Sequence, residues 1–389
     1  MHKETVHSTA EVRYQTRILN PDGSIAAELP WKKNLILDQG LNNVSAYSWS
    51  RLFSNCAIGT SADPVKRDSG LTTFTRAGNV VTASANFFEA ADVGRLIKFD
   101  SGEEMHVTFF TDAQNVTVNI AGALAASQGT VWYVNLTGHT AEAKRTNTTI
   151  GGAAENKTTF SVDTITHQRQ FIFPAEVGPV TYREIGWSHS GEAGANLFGR
   201  DVIPGAGDSL VAGQQYQVIV TLIVKIKPAA ITASPNVGTG GLNSAGNINH
   251  QFIGLFGAYQ CFSRVGQDAL FPLEPASDGY GTRIAAISNA YVLNPGVSTE
   301  ADSGSWGALG YKNVVRSAYA AGSFTVDLSA TFGVAEAVGN IMGFGWGPPN
   351  GGSMGTLGLA LMLTTPQAKD SLHTLTVVLR LTWGRTLVN

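Results

Sequence analysis

The chain has 389 residues, a net charge of −3 and only 14% charged residues, well below the roughly 25% of ordinary soluble domains. Such a length implies two or three domains, and the lack of any Lys/Arg block excludes a nucleic-acid footprint, which needs clustered cations. Two cysteines, Cys56 and Cys261, exclude a disulfide framework; both sit in hydrophobic contexts and read as buried free thiols that do not pair.

Met1 to Tyr14 is polar and charged, so no signal peptide is expected, and no apolar run reaches the length of a membrane span. Glu11 to Leu19 alternates as a strand. Asn20-Pro21-Asp22-Gly23 is a turn, and Ser24 to Leu29 completes a hairpin. Pro30 to Leu41 then leads into a helix predicted over Asn42 to Phe53, with Val44, Tyr47, Leu52 and Phe53 on its apolar side. Residues 72–140 carry short strands at close spacing with turn residues between them, which predicts a small inserted β-barrel. The interrupted domain resumes near Ala141, where Ile58-Gly59 rejoins it. The first domain is therefore 1–71 plus 141–227, closed by the strand Tyr216 to Ile226. Residues 228–249, rich in Gly, Asn and Ser, read as a linker, and 250–389 as a second domain.

The second domain repeats the first. Tyr182 to Trp187 is echoed by Ile341 to Trp346, Asp208-Ser209-Leu210 by Asp370-Ser371-Leu372, and Thr159 to Asp163 by Ser323 to Asp327. In each half a long strand rich in β-branched residues closes the series. This order predicts a mainly β protein of two related, jelly-roll-like β-sandwich domains from an internal duplication. The low charge fits faces hidden by neighbouring subunits.

No constellation carries catalytic chemistry. The eight histidines show no metal-ligand spacing, and Gly-x-Ser-x-Gly is absent. Glu184, His189 and Asp201 form at best an imagined triad. Asp100, Glu103 and Glu104 sit in a predicted hairpin tip, where carboxylates face water; they would be the pair of a polysaccharide depolymerase. No cofactor or metal is expected. Trp187, Phe198, Trp306, Trp346 and Trp383 lie near Gly-rich segments, where aromatics either plug a core or anchor a partner.

Lys33-Asn34-Leu35-Ile36-Leu37-Asp38-Gln39-Gly40-Leu41, and Glu184 to Trp187 followed by Leu197-Phe198-Gly199-Arg200, resemble elements of tailed-bacteriophage virion structural proteins of the tail-fibre, fibre-adaptor, collar or baseplate type. The resemblance covers most of 10–226; the C-terminal half lacks counterparts of Arg183-Glu184 and Phe198-Gly199-Arg200. It implies a non-enzymatic subunit, made in a bacterial host and incorporated in the virion. Its partners would be identical subunits and other tail or neck proteins. Trp31, Lys33, Leu35, Ile36, Trp187 and Phe198 are the expected assembly contacts. The alternative is a receptor-binding fibre protein touching host surface glycan through Trp306 and Trp346.

Overall fold

The computed structural model describes residues 2–44, 51–151, 157–160, 164–228, 250–252, 283–288, 308–347, 349–350, 353–354 and 359–387. It is mainly β, in sandwich-like sheets. The chain opens on β1 (His2–Leu19). Ala10, Val12, Tyr14, Thr16 and Ile18 are buried while Arg13 is exposed, the period of two that a half-buried strand requires. The turn after it is closed by the Gly23 N–H on the Asn20 carbonyl and by the Ser24 N–H on Asp22 Oδ1, which fixes β2 (Ile25–Glu28) as the hairpin partner.

β3 (Lys32–Ile36) leads to the short helix α1 (Asp38–Asn43). The helix predicted over Asn42 to Phe53 is thus corrected: α1 begins earlier and ends at Asn43, and Arg51–Phe53 is a single 3-10 turn, with 45–50 outside the described residues. Tight packing places α1. A Cβ on Gly40 would run into the Phe198 carbonyl, so only glycine lets the helix approach the backbone there.

After β4 (Asn55–Gly59) comes the insert: β5 (Lys66–Asp68), β6 (Phe74–Ala83), β7 (Leu96–Phe99), β8 (Glu104–Phe110), β9 (Asn115–Ser127) and β10 (Gly129–Trp132). They form one sheet in the order β5-β10-β7-β8-β9-β6, over a core of Phe74, Phe88, Ile97, Phe99 and Val118. The pairing path runs from β5 to β6, and it includes β5, which lies upstream of Thr72. Asp92, fully buried, ties its corner together by accepting from Arg67 (2.6 Å) and Arg95 (2.8 Å). The return is β11 (Glu142–Thr146), which pairs with β4, and the Thr60 N–H bonds the Ala141 carbonyl.

The first half continues with β12 (Lys157–Phe160), β13 (Thr164–Ile172), β14 (Val180–Tyr182), β15 (Glu184–Ser188), β16 (Gly199–Val202), β17 (Asp208–Leu210) and β18 (Gln215–Pro228). The second holds β19 (His250–Phe252), β20 (Arg283–Ile287), β21 (Ala308–Asn313), β22 (Val315–Arg316), β23 (Thr325–Phe332), β24 (Gly339–Gly347), β25 (Pro349–Asn350), β26 (Ser353–Met354), β27 (Leu359–Lys369) and β28 (Leu375–Arg385). Pairing in the two halves runs alike. The order β11-β4-β15-β16-β3 stands beside β21-β20-β24-β27-β19, and β12-β13-β18 beside β22-β23-β28.

β1 joins them. Along one edge it pairs antiparallel with β18; along the other its first half pairs parallel with β28, then with β3 and β2. One buried cluster accordingly contains Tyr14, Trp187, Phe198 and Val224 from the first half with Phe332, Phe344, Leu379 and Trp383 from the second. β1 thus pairs with strands of both halves, and residues 229–249, most of the expected linker, lie outside the described residues.

Candidate functional site

The predicted attachment segment is largely internal. Leu35, Ile36, Leu37 and Leu41 are buried, Leu35 and Leu37 in a cluster with Trp132, Leu197 and Leu387. Trp383 Nε1 donates to the Leu41 carbonyl (2.7 Å), Arg385 Nη1 to the Ile36 carbonyl (2.5 Å), and the Tyr319 hydroxyl to Asn42 Oδ1 (2.6 Å). Arg385 also pairs with Asp38. Trp31 (46% exposed) and Lys33 remain at the surface.

Trp187 and Phe198 are core residues. Trp187 packs on Tyr14 and Phe53, with ring centroids 5.7 and 6.1 Å apart, and Phe53 meets Phe198 edge-on at 4.9 Å. Four of the six expected assembly contacts, Leu35, Ile36, Trp187 and Phe198, are buried within the chain. Trp346 lies in β24, in register between Ile284 and Leu359; Trp306 and Cys261 fall outside the described residues. Cys56 is a buried free thiol whose pKa burial pushes up, leaving it a poor nucleophile.

The imagined triad is not assembled. Ile185 is directly opposite Asp201 in the β15–β16 pair, so Glu184 and Asp201 project to opposite faces. Glu184, fully buried, accepts from Arg200 Nε (3.1 Å) and Nη2 (2.9 Å) and from the N–H groups of Thr140 and Ala141, and His139 Nδ1 lies 3.1 Å away. The carboxylate lies across Gly59, where any Cβ would collide with it. On the other face Asp201 accepts from the Tyr14 hydroxyl (2.8 Å), and Asp208 from Thr16 (2.8 Å) and Tyr216 (2.5 Å). In the insert, Glu103 pairs with Arg76 and Glu104 with Lys98, each in an ion pair rather than together across a cleft. Among the described residues no group of three or more His, Cys, Asp or Glu is arranged to hold a metal.

Burial raises the Asp201 carboxyl to about 6, against the Tyr14 hydrogen bond that lowers it. A folded pKa above the unfolded one means the native state binds the proton more tightly, so stability falls as pH rises from about 4 to about 6. Asp201→Asn, which keeps an acceptor for Tyr14, is expected to remove that slope and to gain on the order of 2 kcal/mol at pH 7.5. Urea unfolding of both proteins at pH 4, 5, 6 and 7.5 checks it.

The surface that stands out was not anticipated. At the edge of the second half, Tyr311 (40% exposed) and Val338 (43%) line a groove of about 360 Å³ floored by Phe332 and Ala337, and Val315 and Val334 are exposed elsewhere in the same half. β21 pairs with β20 on one side; among the described residues its other edge carries no strand. The adjoining turn is held rigid. Lys369, itself buried, donates to the carbonyls of Gly333, Val334 and Asp370, and the Gly333 N–H bonds Glu336. Ala337 is held in the left-handed region at φ +51°, a conformation non-glycine residues keep only where their surroundings enforce it. The Lys312–Glu336 ion pair (2.6 Å) marks the rim. The available sequence signal was slight, an isolated Tyr311 and Val338 among polar and Gly residues.

No protein-family model, curated protein or solved structure matches the chain.

Proposed function

We propose that the protein is a non-enzymatic structural subunit of a bacteriophage virion, assembling with copies of itself in the tail, neck or baseplate. The observation that carries this reading is the β21 edge, where Tyr311 and Val338 are exposed beside a strand edge that no strand among the described residues covers. Such edges recruit another chain unless charge or a cover blunts them. The turn beside this edge is tied down by Lys369 and Glu336, and a surface held in place loses little conformational freedom on association. The low charge of the whole chain and the resemblance of Lys33 to Leu41 to phage virion elements support the same reading. The matching order of pairing in the two halves supports an origin by tandem duplication, which gives one subunit two similar faces to offer a symmetric body.

The test is a pair of surface charges. Val315→Glu with Val338→Glu changes exposed side chains, so each costs the fold no more than about 0.5 kcal/mol. Burying those carboxylates in an interface is unfavourable by far more. Sedimentation velocity is expected to convert an oligomer of the natural chain into monomer, with an unchanged far-UV spectrum. Oligomers that persist in the double variant would place the contact elsewhere. Negative-stain images of the natural assembly are expected to show closed rings or fibres.

A further inference from the structure

The β21 groove has a complement on the chain itself, in the connection between β13 and β14. Residues 173–179 carry one charged side chain, Glu176, which is buried and accepts from the Tyr182 hydroxyl (2.7 Å) and Lys144 (2.6 Å). Around it Pro174, Val177 and Pro179 are exposed, Val177 fully so. The Glu176 N–H donates to the Gln214 carbonyl, and the Glu176 carbonyl accepts from the Gly213 N–H, each at 2.8 Å. These bonds set the exposed Val211 beside Val177, in a turn whose Gln214 side chain donates to Asn20 (3.2 Å). Two prolines and a hydrogen-bonded base fix the backbone, so this apolar knob is formed before anything meets it.

Knob and groove sit at opposite ends of β1. β18 runs antiparallel to β1 and starts with Gln215 opposite Leu19, and β13 ends there too, with Ile172 opposite Gln217. β28 runs parallel to β1, with Val377 opposite His2, and its Leu375 pairs with Phe332 on the groove floor. The 18 residues of β1 span on the order of 60 Å, so the knob does not reach the groove of its own chain. Neither surface brings an uncompensated charge: Glu336 at the groove is paired with Lys312, and Glu176 under the knob with Lys144. We propose that the groove lined by Leu309, Tyr311 and Val338 receives the Val177 knob of a second copy of this chain, with Val211 against its rim. This contact presupposes that the β21 edge is an assembly surface, as proposed above, and supplies the surface that fills it. Each copy uses knob and groove once, so one kind of contact covers both apolar patches. Such a contact is heterologous: it builds a ring where the rotation between copies closes, and a fibre where it does not. A groove filled by the same groove of a partner would stop at a two-fold dimer and leave the knob bare.

The test mixes two full-length variants, each with one surface disabled. Val177→Glu with Val211→Glu charges the knob, and the Val315→Glu, Val338→Glu pair disables the β21 edge. All of these positions are exposed, so the far-UV spectra are expected to match that of the natural chain. In sedimentation velocity each variant alone is expected to run as a monomer. An equimolar mixture offers one intact knob to one intact groove, and is expected to give a 1:1 dimer and nothing larger. That dimer forms only if the two surfaces meet across copies, and it also shows that both variants are folded. A knob variant that keeps the natural oligomer overturns the proposal while leaving assembly through the β21 edge in place. So does a mixture that stays monomeric. A β21-edge variant that still oligomerises, or a natural chain that is monomeric, removes the assembly edge itself and this contact with it.

Discussion

Glu184→Gln is expected to lower stability by about 3–5 kcal/mol at pH 7, because it leaves the Arg200 guanidinium buried without a counter-charge. Gln keeps the shape and one acceptor oxygen, so the loss is electrostatic and not a cavity effect. Removing both charges distinguishes the two: Glu184→Gln with Arg200→Met is expected to recover a large part of the loss. The pH dependence has a definite sign. Burial raises the Glu184 carboxyl, but the hydrogen bond and charge of His139 and the Ala141 and Thr140 N–H groups outweigh it and bring it down to about 2. A folded pKa below the unfolded one contributes stability that is fully present above about pH 4.5 and is lost as pH falls toward 2, on the order of 3 kcal/mol. Denaturant titrations of natural and variant chains are thus expected to converge near pH 2. A constant gap from pH 7 to pH 2 would contradict the assignment.

Trp383→Ala carries the second large effect. The ring is buried, stacks on Tyr319 at 5.6 Å and donates to Leu41, so it joins the last strand to the helix of the first half. Truncation removes apolar contact and leaves a cavity, expected to cost about 3–5 kcal/mol. Because both halves draw on this core, the loss should register in both. Amide exchange is expected to accelerate in β23 and in α1 together, and acceleration confined to β23 would indicate that the halves are energetically separate.

Much of this architecture is legible in the sequence, for identifiable reasons. Alternation marks β1, Asn20 to Gly23 carries its own turn chemistry, and the dense short strands of 72–140 announce an insert. Local pattern does not encode long-range pairing. Nothing in His2 to Ala10 says that it lies parallel to Val377 to Arg385, and that single pairing turns two halves into one body. The burial of several expected contact residues was not legible for a related reason. An aromatic beside a Gly-rich segment reads the same whether it plugs a core, as Trp187 and Phe198 do, or faces a partner. Gly59 and Gly40 look like turn residues, although their glycine identity answers to the Glu184 carboxylate and the Phe198 carbonyl, brought close only by the fold. Tyr311 and Val338 show no shared period, since residues this far apart in sequence meet at one groove only once the chain folds.

Native mass spectrometry of the full-length chain at micromolar concentration tests the central claim most directly. A discrete homo-oligomer of one closed stoichiometry is the predicted result, dissociated by the Val315→Glu, Val338→Glu pair. A chain that stays monomeric across the concentrations at which virion subunits assemble would contradict the account.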